Sequence, residues 1–387
     1  MSHPGGDRAR PTGALPPPKL ISDRRALEAA VDLWLRCGSI AVDTEADSFF
    51  AYREKICLLQ ISTEEHDWIV DPLADIDLRY MEPVLASPSI RKVFHDAEFD
   101  VALLKSAGLG DLRSIFDTRL GVALLGSKTP GLSNVLRERY GIALDKSQQR
   151  SDWRRRPLTG EQLEYARHDT RHLLRLAADV EREIVERGLR EIFDFECGRL
   201  EALEPKERLF DPEECLGYRG ARELDGLELA TLRELTVERD RLARERDEAP
   251  FRIVSNDLLV LLARLRPSNR SAVESVRALP PRAMGLFGPG IVAAVQRAAR
   301  LGPWRPQPRK PTLTEEEMDL YDRLRRWRSR KAEQLGFDSS AVLNRRTLEA
   351  MVKEKPQSLQ ELARVVGIAP WQLARFGDEL VALVRGQ

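Results

Sequence analysis

The sequence predicts an α/β domain built on a mixed sheet, followed by two copies of one small all-α domain. Three observations carry this. Three strand-like runs with short connections come early and give way to alternating helix and strand. Beyond about residue 205, apolar positions recur at helical spacing. Within that helical part, residues 232–295 align with 321–384 without a gap, at a shift of 89 positions.

Bulk properties bound the rest. At 387 residues the chain is too long for one typical domain. With 42% hydrophobic and 32% charged residues it is an ordinary globular composition with material for a sizeable core. The 62 basic and 62 acidic side chains cancel, so any surface for a polyanion must be local. Cys37, Cys57, Cys197 and Cys215 are scattered without a CxxC pair, which argues against a zinc site and for buried free thiols. No apolar run reaches the roughly 18 residues of a membrane span, and no signal-peptide pattern opens the chain. The expectation is a reduced, cytoplasmic protein.

In chain order, residues 1–19 are rich in Pro, Gly and Arg and read as a disordered tail. Ser22 is placed as the N-cap of a helix carrying Leu27, Ala30, Val31, Trp34 and Leu35. Ser39–Val42, Ile56–Ile61 and Trp68–Val70 form an antiparallel meander. A helix covers about Asp77 to Leu85, Lys92–Phe94 is a fourth strand, and the pattern turns helical from Glu98. Thr159 and Gln162 fit a capping box. From there one long helix is expected to Gly188, with its stripe on Leu163, Ala166, Leu173, Ala177, Val180 and Ile184. The domains follow as 20–204, 205–300 and 312–387, with the Pro-rich segment 301–311 as linker.

Candidate chemistry lies in three acidic elements. Asp43 and Glu45 stand two apart on a strand and share a face, where their mutual repulsion suits a hard divalent cation. Phe94–Leu104 runs a strand into a helix, with Asp100 in the first turn. Asp96 and Glu98 are nearby acids that can also serve, and His95 reads as structural. Tyr165 and Asp169 are four apart on one helix face. Each pattern alone is common.

Their order, and the flank Ser151-Asp152-Trp153-Arg154-Arg155-Arg156-Pro157-Leu158, resemble the DEDD exonuclease superfamily in its tyrosine subclass, and within it the ribonuclease D family. Asp145-Lys146-Ser147, Gln60 and Ile69-Val70-Asp71-Pro72 are similar to that family too. The resemblance implies a ribonuclease-H-like domain that hydrolyses RNA from its 3′ end to nucleoside 5′-monophosphates. It implies Asp43, Glu45 and Asp169 as direct ligands of two ions, Mg²⁺ or Mn²⁺. It implies Asp100 as a metal residue acting largely through water, and Tyr165 as the group orienting the attacking water. The helical repeat resembles the HRDC domain. A Walker A sequence is lacking, so no nucleotide cofactor is expected. The implied partners are transfer RNA precursors and other small structured RNAs, met by a monomer.

Local basic patches give further candidates. Lys146, Arg150, Arg154, Arg155 and Arg156 precede the Tyr165 helix and suit substrate phosphates. In the second copy, residues 320–338 carry net charge +3, against −1 for the matching 231–249. There Arg325, Arg326 and Arg328 flank Trp327, which is either a core residue or a base-stacking platform. Two rivals to the main reading stay open: a DNA 3′–5′ exonuclease with the same chemistry, and an inactive RNA-binding scaffold.

Overall fold

The computed structural model describes residues 16–74, 76–205, 209–306, 313–336 and 339–386. The first fifteen residues of the expected tail, and most of the linker's second half, lie outside that range. Lys19 is not tail: β1 (Lys19–Ile21) already pairs with Trp68 to Val70.

Five more strands complete one sheet: β2 (Ser39–Ala46), β3 (Ile56–Ser62), β4 (Asp67–Val70), β5 (Arg91–Phe94) and β6 (Ile115–Asp117). Their order is β1-β4-β3-β2-β5-β6. The β2–β3 and β3–β4 pairs are antiparallel, as the short connections require. The outer pairs β1–β4, β2–β5 and β5–β6 are parallel. Central β3 (ICLLQIS) is buried along its whole length, which suits its near-continuous apolar run.

Alternation along β2 assigns its two faces. Ile40 and Val42 enter a core with the helices Arg24–Trp34 and Glu98–Ser106. Ala41 faces the opposite layer, formed by helices Thr118–Leu124, Leu173–Glu186 and Arg190–Glu201. Asp43 and Glu45 share the Ala41 face. Helix Gly160–Arg171 lies over that same face, with Ala166 against Leu58 and Ile69.

Three local expectations change. The first helix is capped by Asp23, whose carboxylate accepts the Ala26 amide at 2.9 Å, and not by Ser22. The Asp77–Leu85 helix starts as a 3₁₀ turn. The long helix after Thr159 is two helices, divided at His172. The second lays Leu173, Leu176, Val180 and Ile184 on helix Thr118–Leu124. There Gly121 is required, because a Cβ would collide with the Val180 side chain. The capping box holds, with Thr159 and Gln162 bonded reciprocally at 3.0 and 3.2 Å.

From Gly226 on the described chain is helical, and the repeat is structural. Helices Gly226–Arg246, Asn256–Leu265 and Pro281–Leu301 correspond to Glu315–Leu335, Arg345–Glu354 and Pro370–Arg385. Each pair begins 89 residues apart. The first copy has its own core, centred on Leu235, Leu259 and Phe287. The core of the second is continuous with the Thr118–Leu124 side of the sheet.

Candidate active site

Asp43, Glu45 and Asp169 each present a carboxylate oxygen within 4.8 Å of the other two. Strand alternation delivers the first two and helix Gly160–Arg171 the third. Tyr165 sits one turn before Asp169 and packs on the buried Trp153 ring, 5.9 Å between centroids.

Asp100 reaches the site differently. Its β5 neighbour pairs with β2 only as far as Ala41, so the edge of β2 beyond it has amides to satisfy. Asp100 takes that place. Its Oδ1 accepts the Thr44 amide at 3.0 Å and the Thr44 hydroxyl at 2.5 Å. Thr44 points away from Asp43 and Glu45, so Asp100 approaches round the strand edge from the opposite layer. It is 6% exposed and is not one of the three converging carboxylates.

The charges are mutually unfavourable. Burial, and then Asp169, hold the Asp43 carboxyl well above its ordinary range. Burial, then Asp43, Asp169 and Asp100, push Glu45 up to about 10. Asp100 is raised by burial and by Asp43, and Asp169 by burial and by Asp100. The Tyr165 phenol is also raised, by burial and Asp169. Oxygen donors of one charge, converged and part-buried, fit a hard divalent cation.

The other acids of the sequence do not join. Asp96 has left-handed φ (75°) and faces Arg119 at 3.4 Å, and Glu98 is solvent-exposed. His95 is structural: Nδ1 is 2.9 Å from the Thr118 hydroxyl, and burial lowers its pKa to about 4. Asp117 was missed. It accepts the amides of Asp96 and Ala97 at 3.0 and 2.9 Å and so shapes the turn into the Asp100 helix. Thr44 was missed too, although its place inside Asp-Thr-Glu predicts a side chain on the reverse face.

The basic candidates divide. Arg156 is a structural fork: it bonds both oxygens of Asp71 at 2.5 and 2.6 Å, and the Cys57 carbonyl at 2.9 Å. Arg154 is held by Asp152 at 2.8 Å and by the Phe50 ring. Lys146, Arg150 and Arg155 stay exposed. Trp327 is 4% exposed and donates to Glu379 at 2.9 Å, so it is a core residue and not a base platform. Arg328 donates to the Leu343 carbonyl at 3.1 Å, while Arg325 and Arg326 are exposed.

Comparison with known proteins agrees with this geometry. A family described as 3′–5′ exonuclease matches residues 18–185. The HRDC domain matches 228–295 and 317–384, the same 89-residue displacement. A ribonuclease D of Pseudomonas paraeruginosa is 30% identical over 373 residues, covering 93% of this chain and 96% of its own. The crystal structure of Escherichia coli RNase D, described as an exoribonuclease involved in structured RNA processing, superposes with a TM-score of 0.70 at 26% identity. That match covers 95% of this chain and 99% of the other. The catalytic core of RRP6 from Trypanosoma brucei gives 0.69 at 29% identity, over 74% and 80% of the two chains. The chain belongs to the ribonuclease D family of 3′–5′ exoribonucleases.

Proposed function

We propose that Asp43, Glu45 and Asp169 hold two divalent cations, Mg²⁺ or Mn²⁺, with Asp100 acting on them through water. The observation that carries this is the convergence of three carboxylate oxygens within 4.8 Å. When bound, such ions activate water and neutralise charge on the leaving 3′ oxygen. The chain's residues supply the alignment. Thr44 fixes one Asp100 oxygen and Trp153 supports the Tyr165 ring. Tyr165 keeps its proton and orients the attacking water by hydrogen bonding, since so high a pKa makes it a poor base.

The proposed substrates are structured RNA precursors, transfer RNA 3′ ends among them, released as nucleoside 5′-monophosphates by a monomer. We take 19–204, 205–300 and 312–387 as its domains, the first beginning at β1. Exposed Lys146, Arg150 and Arg155 beside the site suit the RNA backbone. Among the described residues no helix is long and apolar enough to cross a membrane. Four free thiols support a reducing, cytoplasmic setting.

Asp43→Ala is expected to abolish Mg²⁺-dependent release of nucleoside monophosphates. Wild-type release in that variant would sink the assignment, and matched RNA and DNA oligomers test the sugar preference. A pH experiment tests the cation. Glu45 has its pKa raised in the folded, metal-free chain, so the stability it contributes is present at low pH and lost as pH climbs towards about 10. A bound cation removes that loss. Saturating Mn²⁺ should therefore raise the melting temperature more at pH 8.5 than at pH 6, and an equal shift at both counts against the site.

A further inference from the structure

We propose that the first helical copy clamps the loop between β2 and β3, and that Asp247 is a positioning residue for the nuclease site. The proposal rests on the roles given above to Glu45 and Tyr165.

The loop, residues 47–55, opens two residues after Glu45. Asp47 closes its base: its Oδ1 accepts the Lys55 amide at 2.8 Å, and its own amide donates to the Lys55 carbonyl at 3.3 Å. The tip belongs to the first helical copy, although 194 residues separate Arg53 from Asp247. The Arg53 amide donates to Asp247 Oδ1 at 3.0 Å, and Lys55 Nζ meets Oδ2 at 3.0 Å. The Tyr52 hydroxyl donates to Asp240 at 2.7 Å. The Ala249 amide donates to the Phe50 carbonyl at 3.0 Å. The Phe50 ring carries Arg252 of the helical copy at 4.6 Å and Arg154 at 4.5 Å. Arg154 is next to Trp153, the support of Tyr165. One loop thus joins the strand end bearing Glu45, the packing beneath Tyr165, and the first helical copy.

Asp247 is placed at a backbone cost. It ends helix Gly226–Arg246 with φ 49° and ψ 44°, a left-handed cap that favours glycine. The matching residue of the second copy is Gly336, at φ 70°. An aspartate at this position is explained by its carboxylate, whose two oxygens hold the loop. The clamp also sets one wall of a cleft of about 1080 Å³ beside the site, where exposed Phe99, adjacent to Asp100, and Phe251 of the helical copy both line the space.

The test uses the full chain and a short single-stranded RNA oligonucleotide with Mn²⁺. Asp247→Gly suits the helix cap but removes both Asp247 contacts to the loop, whereas Asp247→Asn keeps an acceptor for the Arg53 amide. The glycine variant should lose roughly tenfold or more in kcat at little-changed KM, because small misplacements near reacting groups are costly. The asparagine variant should recover most of that loss. Tyr52→Phe, which removes the bond to Asp240 and the longer one accepted from Arg244 at 3.5 Å, should lose about threefold, the scale of one good hydrogen bond. It decides the matter should Asp247→Gly not fold. Wild-type kcat in Asp247→Gly, or a rise in KM alone, overturns the clamp. Asp43→Ala run alongside separates the two readings: activity retained there sinks the site assignment, while wild-type turnover in Asp247→Gly beside an inert Asp43→Ala sinks the clamp alone.

Discussion

The two helical copies share a register and differ in what they hold. Both begin on a capping box, Asp225 with Glu228 and Thr314 with Glu317, and both open with a 21-residue helix. Arg239 and Arg328, 89 apart, each donate to the carbonyl at the matching position, Val254 or Leu343, at 3.1 Å. At the end of that first helix they diverge. Asp247 grips the β2–β3 loop through its side chain, whereas Gly336 approaches Gly126 of the nuclease domain through backbone alone. A Cβ on Gly126 would lie 2.7 Å from the Gly336 carbonyl oxygen. The same helical unit therefore docks twice by the same end, once by hydrogen bonds into the site's own loop and once by close packing just past helix Thr118–Leu124. Duplication preserved the register of the helices and left the helix end free to specialise.

The largest effect that tests this contrast is in the cores. In the second copy Trp327 packs edge-on to Phe376, 5.5 Å between centroids, and bonds Glu379. In the first copy Glu238 and Gly290 stand where Trp327 and Glu379 do, with Phe287 in the place of Phe376. A Cβ on Gly290 would lie 2.5 Å from Glu238 Oε1, so the small residue makes room for the acid. Trp327→Ala is expected to cost the second copy about 3–5 kcal/mol, as a buried ring truncated to a cavity. Melting followed by circular dichroism should show an early transition, with trimming of a short single-stranded oligonucleotide retained. Loss of trimming as deep as in Asp247→Gly would erase the distinction between the copies.

The parts of this molecule that were legible in the sequence are those set by short-range geometry. Asp43 with Glu45, and Tyr165 with Asp169, follow from the two- and four-residue periods, and the 89-residue repeat follows from spacing. β1 and β6 were not found, because three residues, KLI and IFD, are too few to show a period. They exist through pairing with β4 and β5. The division of the long helix at His172 was hidden because Leu173 to Ile184 continues a helical stripe across it. Arg156 looked like a substrate contact because its partner, Asp71, is 85 residues away. Trp327 sat among arginines in sequence, yet lies on the inward face of its helix. Asp247 was silent for the same reason as Arg156: its role appears only when distant segments meet.

The smallest effect, and the finest test of the contrast, lies on the outer face of the first helices. In the second copy Arg325, Arg326 and Arg330 are exposed and, with Arg328 and Ser329, line a depression of about 430 Å³. The first copy has Thr236 and Val237 where Arg325 and Arg326 stand, and Asp240 where Ser329 does. Thr236 and Asp240 are 0% and 5% exposed, with Asp240 bonded to Tyr52. One face serves the clamp and the other is exposed to solvent. Replacing Arg325 and Arg326 together by alanine should lower the salt slope of binding to a structured RNA by about one per lost phosphate contact. Turnover of a short single strand should be unaffected. An unchanged slope would mean that the second copy's arginine face, like the first copy's Asp240 face, serves the protein and not its substrate.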